Sequence, residues 1–323
     1  MLCRKSITDR LTVGTMLKVA LLYGGRSSER EISIASSKTV ENAIGNRYEV
    51  VCIDTGEFDW VEKLIAVQCD VVFVCLHGMG GEDGSVQGVC ESLGLPYTGS
   101  GVQASAMAMD KAVAKLVVSN AGVRTPASVA VKSLEGVCVE ALLAQMNGKV
   151  VVKPEFGGSS VGLCIEETAE GLRKALEGIL ALGETALVEQ YVLGRELTVS
   201  VHGGFSVESL PIIEIISCNE AYDYEAKYKK GMSRHVCPAD ISDSLSEECA
   251  DMACRAHVAL GCRGFSRSDF LLTEKGEIWY LETNTIPGMT ETSLLPDAAS
   301  AAGISYEALC DLMIVDALNE AGE

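Results

Sequence analysis

The N-terminal part of the chain predicts an α/β fold on an open, mostly parallel sheet, and three observations carry the prediction. Short apolar runs, KVALLYGG (18–25), YEVVCIDT (48–55) and DVVFVCLHG (70–78), have the continuous hydrophobicity of strands buried on both faces. Helix-capable segments separate them, as parallel strands require. The runs end in Gly24-Gly25 and His77-Gly78, and the carboxyl ends of such strands are where ligands bind.

The elements follow in order. A polar segment leads into a helix over 28–44. After PYTGSG (96–101) a helical pattern runs unbroken to about Gly122. A second α/β unit comprises TPASVAV, a helix near 134–146 and KVVVKPEFGGSSVG. From ALVEQYV (186–192) through IIEIIS the chain is strand-rich, so the C-terminal part reads as α+β. The charged stretch 219–238 has few apolar anchors and reads as a mobile lid. A helix near 245–260, two strands and two terminal helices complete the pattern.

The length of 323 residues exceeds one ordinary core and suggests two or three units. A hydrophobic fraction of 48% with 22% charge is that of a globular protein rather than a disordered one. No apolar run approaches the roughly 20 residues that span a bilayer, so no membrane partner is expected. Residues 1–17 carry Arg4, Lys5, Asp9 and Arg10 without an apolar core, which argues against a secretory signal. Met16 precedes the first strand run, so this lead reads as a start-site artefact or a loose arm. A net charge of −19 argues against a nucleic-acid surface while leaving room for a basic pocket. The 13 cysteines include no C-x-x-C pair and fail zinc spacing, so they read as reduced thiols of a cytoplasmic protein.

Several glycine loops compete for a nucleotide. GSGVQA (99–104) matches a dinucleotide fingerprint in letters, but it follows no long buried strand and has no ribose-binding acid about 20 residues on. It reads as a turn into a helix. No phosphate loop of the G-x-x-x-x-G-K-[ST] type occurs. GGEDGS (80–85) reads equally as acids at a helix N-terminus, favoured by the macrodipole, and as a ligand loop beside His77. KPEFGGSSVG (153–162) is more specific: a buried strand ends in Lys153, and the loop after it offers backbone donors for phosphate oxygens.

FSRSDFLLTEKGEIWYLETN (265–284) reads as a hairpin around a two-residue Lys275-Gly276 turn. That turn places Asp269 opposite Glu282 and Arg267 opposite Asn284, with opposed β-carbons about 4.5–5.5 Å apart. Two carboxylates that close repel unless a cation lies between them, and hard oxygens shared with phosphate suit Mg²⁺.

With GGRSSEREIS (24–33), LHGMGGEDG (76–84), MDK (109–111), KPEFGGSSVG, YDYEAKY (222–228), SRSDF and LETNTIPGMT in this order, the chain resembles the D-alanine–D-alanine ligase family of the ATP-grasp superfamily. The resemblance extends from about Lys18 to the C-terminus. It implies an N-terminal α/β substrate-binding domain over 18–99 with the open parallel sheet, a central ATP-grasp subdomain over 100–188, and a C-terminal one over 189–323 with the metal site and lid. It implies that ATP phosphorylates one D-alanine and that the amine of a second attacks the acyl phosphate.

By resemblance Glu29 holds the first substrate's ammonium, His77 stands near its carboxyl, and Ser159 and Tyr228 join Glu29 across domains. Lys111, Lys153 and Lys227 bind phosphates, and Glu189 and Glu196 contact adenine and ribose. Asp269, Glu282 and Asn284 hold two Mg²⁺ ions, with Mn²⁺ a possible substitute. Arg267 and the Gly288 N–H stabilise the transferring phosphoryl group and the oxyanion. Ser293 and the Leu294 N–H take the second carboxylate. A cytoplasmic homodimer is also implied.

Departures from the family pattern are Gln190 where lysine is common, which touches the adenine contact, Ser268 between Arg267 and Asp269, and Ile286 in place of a small polar residue. Tyr228 favours an amine over D-lactate as second nucleophile. A carboxylate–amine ligase with another acceptor would share the lysines and metal residues without needing Glu29, Ser159 and Tyr228 together. A Rossmann oxidoreductase requires the missing fingerprint, and a two-lobed binding protein gives no reason for the acidic hairpin.

Overall fold

The computed structural model describes residues 16–158, 162–203, 206–217 and 233–320. Strands β1 (Lys18–Tyr23), β2 (Glu49–Asp54) and β3 (Val71–Val74) form a parallel sheet in the order β2-β1-β3. Helices α1 (Arg30–Ile44), α2 (Trp60–Val67) and α3 (Ser85–Leu93) make the returns. Alternation along β1 decides the packing. Val19 and Leu21 join α1 residues Val40 and Ile44 on one face, while Ala20 and Leu22 meet Leu64, Val86 and Cys90 on the other.

The expected single helix after residue 101 is two, α4 (Val102–Met109) and α5 (Lys111–Asn120). Asp110 breaks it: with ψ at 96° it leaves helical geometry, and its carboxylate accepts the Val113 N–H at 3.0 Å as an N-cap. Gly101 begins α4, so GSGVQA is a turn leading into a helix.

Next come β4 (Ser128–Val131), α6 (Val139–Gln145), β5 (Val150–Pro154), β6 (Cys164–Glu166), α7 (Ala169–Ala181) and β7 (Ala186–Gln190). The four strands pair antiparallel in the order β4-β7-β5-β6 under α6 and α7. Helix α6 is shorter than expected because Gly136, at φ +75°, sits in the turn ahead of it.

The third sheet contains β8 (Arg195–Gly203), β9 (Val207–Ser209), β10 (Ile213–Ser217), β11 (Ser233–Val236) and, after α8 (Asp243–Ala259), β12 (Phe265–Leu272) and β13 (Ile278–Asn284). Its order is β11-β10-β8-β12-β13, with β9 on β8. Helices α4, α5 and α8 supply its core with Phe270 and Tyr280. Helices α9 (Leu294–Ala301) and α10 (Tyr306–Glu320) return to the first sheet, where Leu295, Leu309 and Ile314 pack on Leu21 and Phe73. Among the described residues no single helix is long and apolar enough to cross a membrane.

The hairpin corrects the sequence reading. Its turn takes three residues, 274–276, closed by Thr273 N–H to the Glu277 carbonyl at 2.9 Å and by Gly276 N–H to the Thr273 carbonyl at 3.0 Å. Gly276, at φ +77°, takes the left-handed position of such a loop. Next to the turn Leu272 therefore pairs with Ile278, one residue earlier than a two-residue turn allows. A bulge at Leu281 then absorbs the difference, restoring Asp269 opposite Glu282 and Arg267 opposite Asn284. The expected pairs stand, but for a different reason.

Candidate active site

Three adjoining cavities form one cleft. A cavity of 220 Å³ is lined by Lys111, Lys153, Gly157, Glu196, Asp269 and Glu282, among others. A second, of 250 Å³, is lined by Glu29, His77, Arg267, Gly288, Ser293 and Leu294 along with neighbours. A small third cavity touches both, sharing Lys111 and Glu282 with the first and Glu82 and Asn284 with the second. Gly158 lines all three.

Strand alternation builds one wall. Arg267, Asp269, Glu282 and Asn284 face the cleft, while Ser268 and Thr283 point the other way and share a buried hydroxyl hydrogen bond at 2.8 Å. Asp269 is fixed on two sides: Arg267 Nε and Nη2 donate to its oxygens at 3.0 and 3.1 Å, and Thr198 Oγ1 donates at 2.6 Å. Asn284 Nδ2 lies 3.4 Å from Asp269 Oδ2, and Lys111 Nζ lies 3.9 Å from Glu282 Oε2.

Among the described residues no cluster of three or more His, Cys, Asp or Glu side chains could hold a metal as a protein-only cage. Two carboxylates and an amide on one strand face, beside lysines, are instead the hard oxygen set of a cation shared with phosphate. The donors present fit a divalent metal.

Lys111 and Lys153 enter from two elements. The break at Asp110 puts Lys111 at the start of α5, where its ammonium donates to the Gly157 carbonyl. Lys153 is the penultimate residue of β5 and pairs with Glu189 at 2.7 Å. Glu189 does not line the 220 Å³ cavity; it lies beneath, 3% exposed, and its other oxygen meets Lys115 at 2.8 Å. Burial alone would raise its pKa, but Lys115 and Lys153 outweigh burial and hold it down at about 2. Burial would lower Lys153, yet the facing Glu189 and Glu282 leave it raised.

Loops build the opposite wall. Glu29 immediately precedes α1, and its buried carboxylate sits between two glycines. A β-carbon on Gly158 would stand 2.9 Å from Glu29 Oε2, and one on Gly78 would stand 2.8 Å from the same atom. His77 is buried, and its Nε2 meets no protein partner among the described residues. Burial, with Arg267 nearby, lowers its pKa to about 4, so the imidazole is neutral at physiological pH. Thr290 Oγ1 and Ser293 Oγ lie 2.8 Å apart just before α9, whose first residue is Leu294.

Sequence reasoning missed two residues. Glu82 lines the second and third cavities and accepts the Gly78 N–H at 2.8 Å. Burial first, then the facing Glu29, raises its pKa to about 8. The motif LHGMGGEDG contained it, but acids at a helix N-terminus had a sufficient local explanation. The other is Lys115, four residues after Lys111 on the same helix face. The expected residues Ser159, Lys227 and Tyr228, and most of the 219–238 stretch, lie outside the described residues.

Two family models match the chain: D-ala D-ala ligase N-terminus over residues 18–68 and 57–100, and D-ala D-ala ligase C-terminus over 119–315. A D-alanine–D-alanine ligase from Pelotomaculum thermopropionicum is 42% identical over 313 residues, covering 95% of this chain and 98% of its own. One from Halalkalibacterium halodurans is 44% identical over 303 residues, 92% of this chain and 98% of that one. Among solved structures, the D-alanine–D-alanine ligase from Bacillus anthracis complexed with ATP superposes with a TM-score of 0.84 at 32% identity, covering 95% of this chain and 99% of the other. The VanG D-Ala:D-Ser ligase from Enterococcus faecalis does so at 0.78 and 29%, covering 94% and 100%. The chain belongs to the D-alanine–D-alanine ligase family of the ATP-grasp superfamily, enzymes that use ATP and a divalent metal to ligate D-alanine for peptidoglycan.

Proposed function

We propose that the chain joins two D-alanines into D-alanyl-D-alanine through an acyl phosphate, releasing ADP and phosphate. The observation that carries the reading is the junction of the cavities at Gly158, between Glu82 and Asn284 on one side and Lys111 and Glu282 on the other. A phosphoryl donor held by the lysines would there face a carboxyl group held on the Glu29 side.

The first D-alanine presents its ammonium to Glu29 and its carboxylate toward Arg267 and His77. A carboxylate oxygen attacks the γ-phosphorus, forming an O–P bond as the bond to ADP breaks. Lys111 and Lys153 balance the charge spreading over the phosphate oxygens, and most of the acceleration comes from this positioning and electrostatics. Asp269, Glu282 and Asn284 would hold Mg²⁺, and the charge of that metal would neutralise phosphate oxygens. Glu196 takes the ribose, and Glu189 the adenine edge.

The second D-alanine places its carboxylate at Ser293 and the Leu294 N–H, where α9 begins and its dipole favours an anion. Its amine attacks the acyl carbon, and the tetrahedral oxyanion is stabilised by Arg267 and the Gly288 N–H until phosphate leaves. Neutral His77 acts here as a hydrogen-bonding group rather than a cation. Ser159, Lys227 and Tyr228 enter by family resemblance, Ser159 and Tyr228 tying Glu29 across the cleft. The working form is a cytoplasmic homodimer, which light scattering on the purified enzyme tests.

The test is phosphate release from Mg·ATP with D-alanine, L-alanine, D-serine and D-lactate, singly and in pairs, with mass detection of products. Release with D-alanine alone and a D-alanyl-D-alanine mass is expected. Product formed only when D-serine or D-lactate joins D-alanine would overturn the choice of acceptor and leave the phosphorylation half intact.

A further inference from the structure

We propose that Lys115 is a positioning residue of the nucleotide site, keeping Glu189 paired and in place while Lys153 turns from it to phosphate. The inference deepens the reading above and rests on the nucleotide occupying the Lys153 cavity. Glu189 is clamped between two ammonium groups, Lys115 at 2.8 Å and Lys153 at 2.7 Å. The two are not equivalent. Lys153 lines the 220 Å³ cavity, whereas Lys115 does not and is buried at 3% exposure.

Lys115 is also anchored away from the cleft. It donates to Thr125 Oγ1 at 2.9 Å, and that hydroxyl donates to the Tyr280 carbonyl at 3.2 Å. Only Lys153 can therefore leave Glu189 for a ligand. A triphosphate drawing Lys153 away would strip Glu189 of half its countercharge in a buried place, and an unpaired buried carboxylate is costly. The remaining acid facing these lysines is Glu282, which repels Glu189 rather than helping it. Lys115 is the charge that remains. Its presence leaves one Glu189 oxygen available to a base edge at no cost in protonation.

Calorimetry with Mg·ADP tests this, run near neutral pH in two buffers of different ionisation enthalpy. Lys115→Met is expected to weaken Mg·ADP about tenfold or more and to take up about one more proton per nucleotide than the wild type. Glu189, left with Lys153 alone, must then neutralise when the nucleotide claims that lysine. Against Glu189→Gln alone, adding Lys115→Met should cost little further affinity and take up no extra proton. Wild-type affinity in Lys115→Met would overturn the proposal. So would a loss without extra proton uptake that is equally large with and without Glu189→Gln, the pattern of a purely structural lysine.

Should Lys115→Met fail to fold, the double variant decides alone. Affinity equal to that of Glu189→Gln alone supports the coupling, and a further tenfold loss or failure to fold overturns it. Lys153→Met separates the two ideas, because unchanged Mg·ADP binding there would remove the nucleotide from this cavity and sink the underlying reading instead.

Discussion

The two walls of the cleft are built on opposite principles. The strand wall is the face of an antiparallel sheet, where period-two alternation and cross-strand register hold Asp269, Glu282 and Asn284 together. The loop wall is made of turns that follow strands of two sheets, parallel before Gly78 and antiparallel before Gly158, and Glu29 has its place because these two glycines carry no side chains. The first wall is specified by what its residues are. The second is specified as much by what its neighbours lack, and it is far more sensitive to added bulk than to a change of charge pattern at a distance.

The largest effect belongs to the strand wall. Glu282→Gln keeps the shape and removes the charge from the carboxylate at the junction of the cavities. We predict a fall in kcat of about 1,000-fold or more, with the fold retained by circular dichroism because the side chain faces the cleft rather than the core. Turnover near the wild-type rate would move the metal site away from this hairpin.

Gly158→Ala probes the loop wall. Its backbone is not in the left-handed region, so the substitution tests crowding of Glu29 rather than backbone strain. A displacement of about 1 Å at a positioning group costs on the order of 100-fold. We expect kcat/KM for D-alanine to drop by about 10- to 100-fold, with the affinity for Mg·ADP little changed. Adding Glu29→Asp, one methylene shorter, should make the two losses less than additive. Fully additive losses would show that the glycine is not reserved for Glu29.

How much of this was legible follows the same division. The parallel sheet could be read from its apolar runs, and the acidic strand face from alternation in SRSDF and YLETN. The register was reached through a turn of the wrong length that the bulge at Leu281 happens to offset. Nothing local marks that bulge, since Tyr280 and Leu281 fit an ordinary strand, whereas Gly276 was a cue for the three-residue loop. Asp110 was likewise a readable helix stop, because aspartate is a strong N-cap. Glu82 and Lys115 were not legible for a deeper reason. Their significance lies in partners distant in sequence, Glu29 for one and Glu189 for the other.

The smallest effect sharpens the comparison at Glu82, the loop-wall acid whose neutrality is imposed by its surroundings. With its pKa raised to about 8 against an ordinary value of 4.5, the folded chain retains a proton between those pH values that the unfolded chain has lost. Stability therefore falls as pH rises through that window, since the native state binds more protons there. Burial is the largest influence, Glu29 likewise opposes ionisation, and the Gly78 N–H, Arg267 and a backbone hydrogen bond from Ile286 favour it. Glu82→Gln removes the titration while keeping an acceptor for the Gly78 N–H. The melting temperature of the variant relative to wild type should climb from pH 5 to pH 8 and level off above. A constant difference across that range would mean that Glu82 is ionised throughout, and that the loop wall carries two carboxylate charges rather than one.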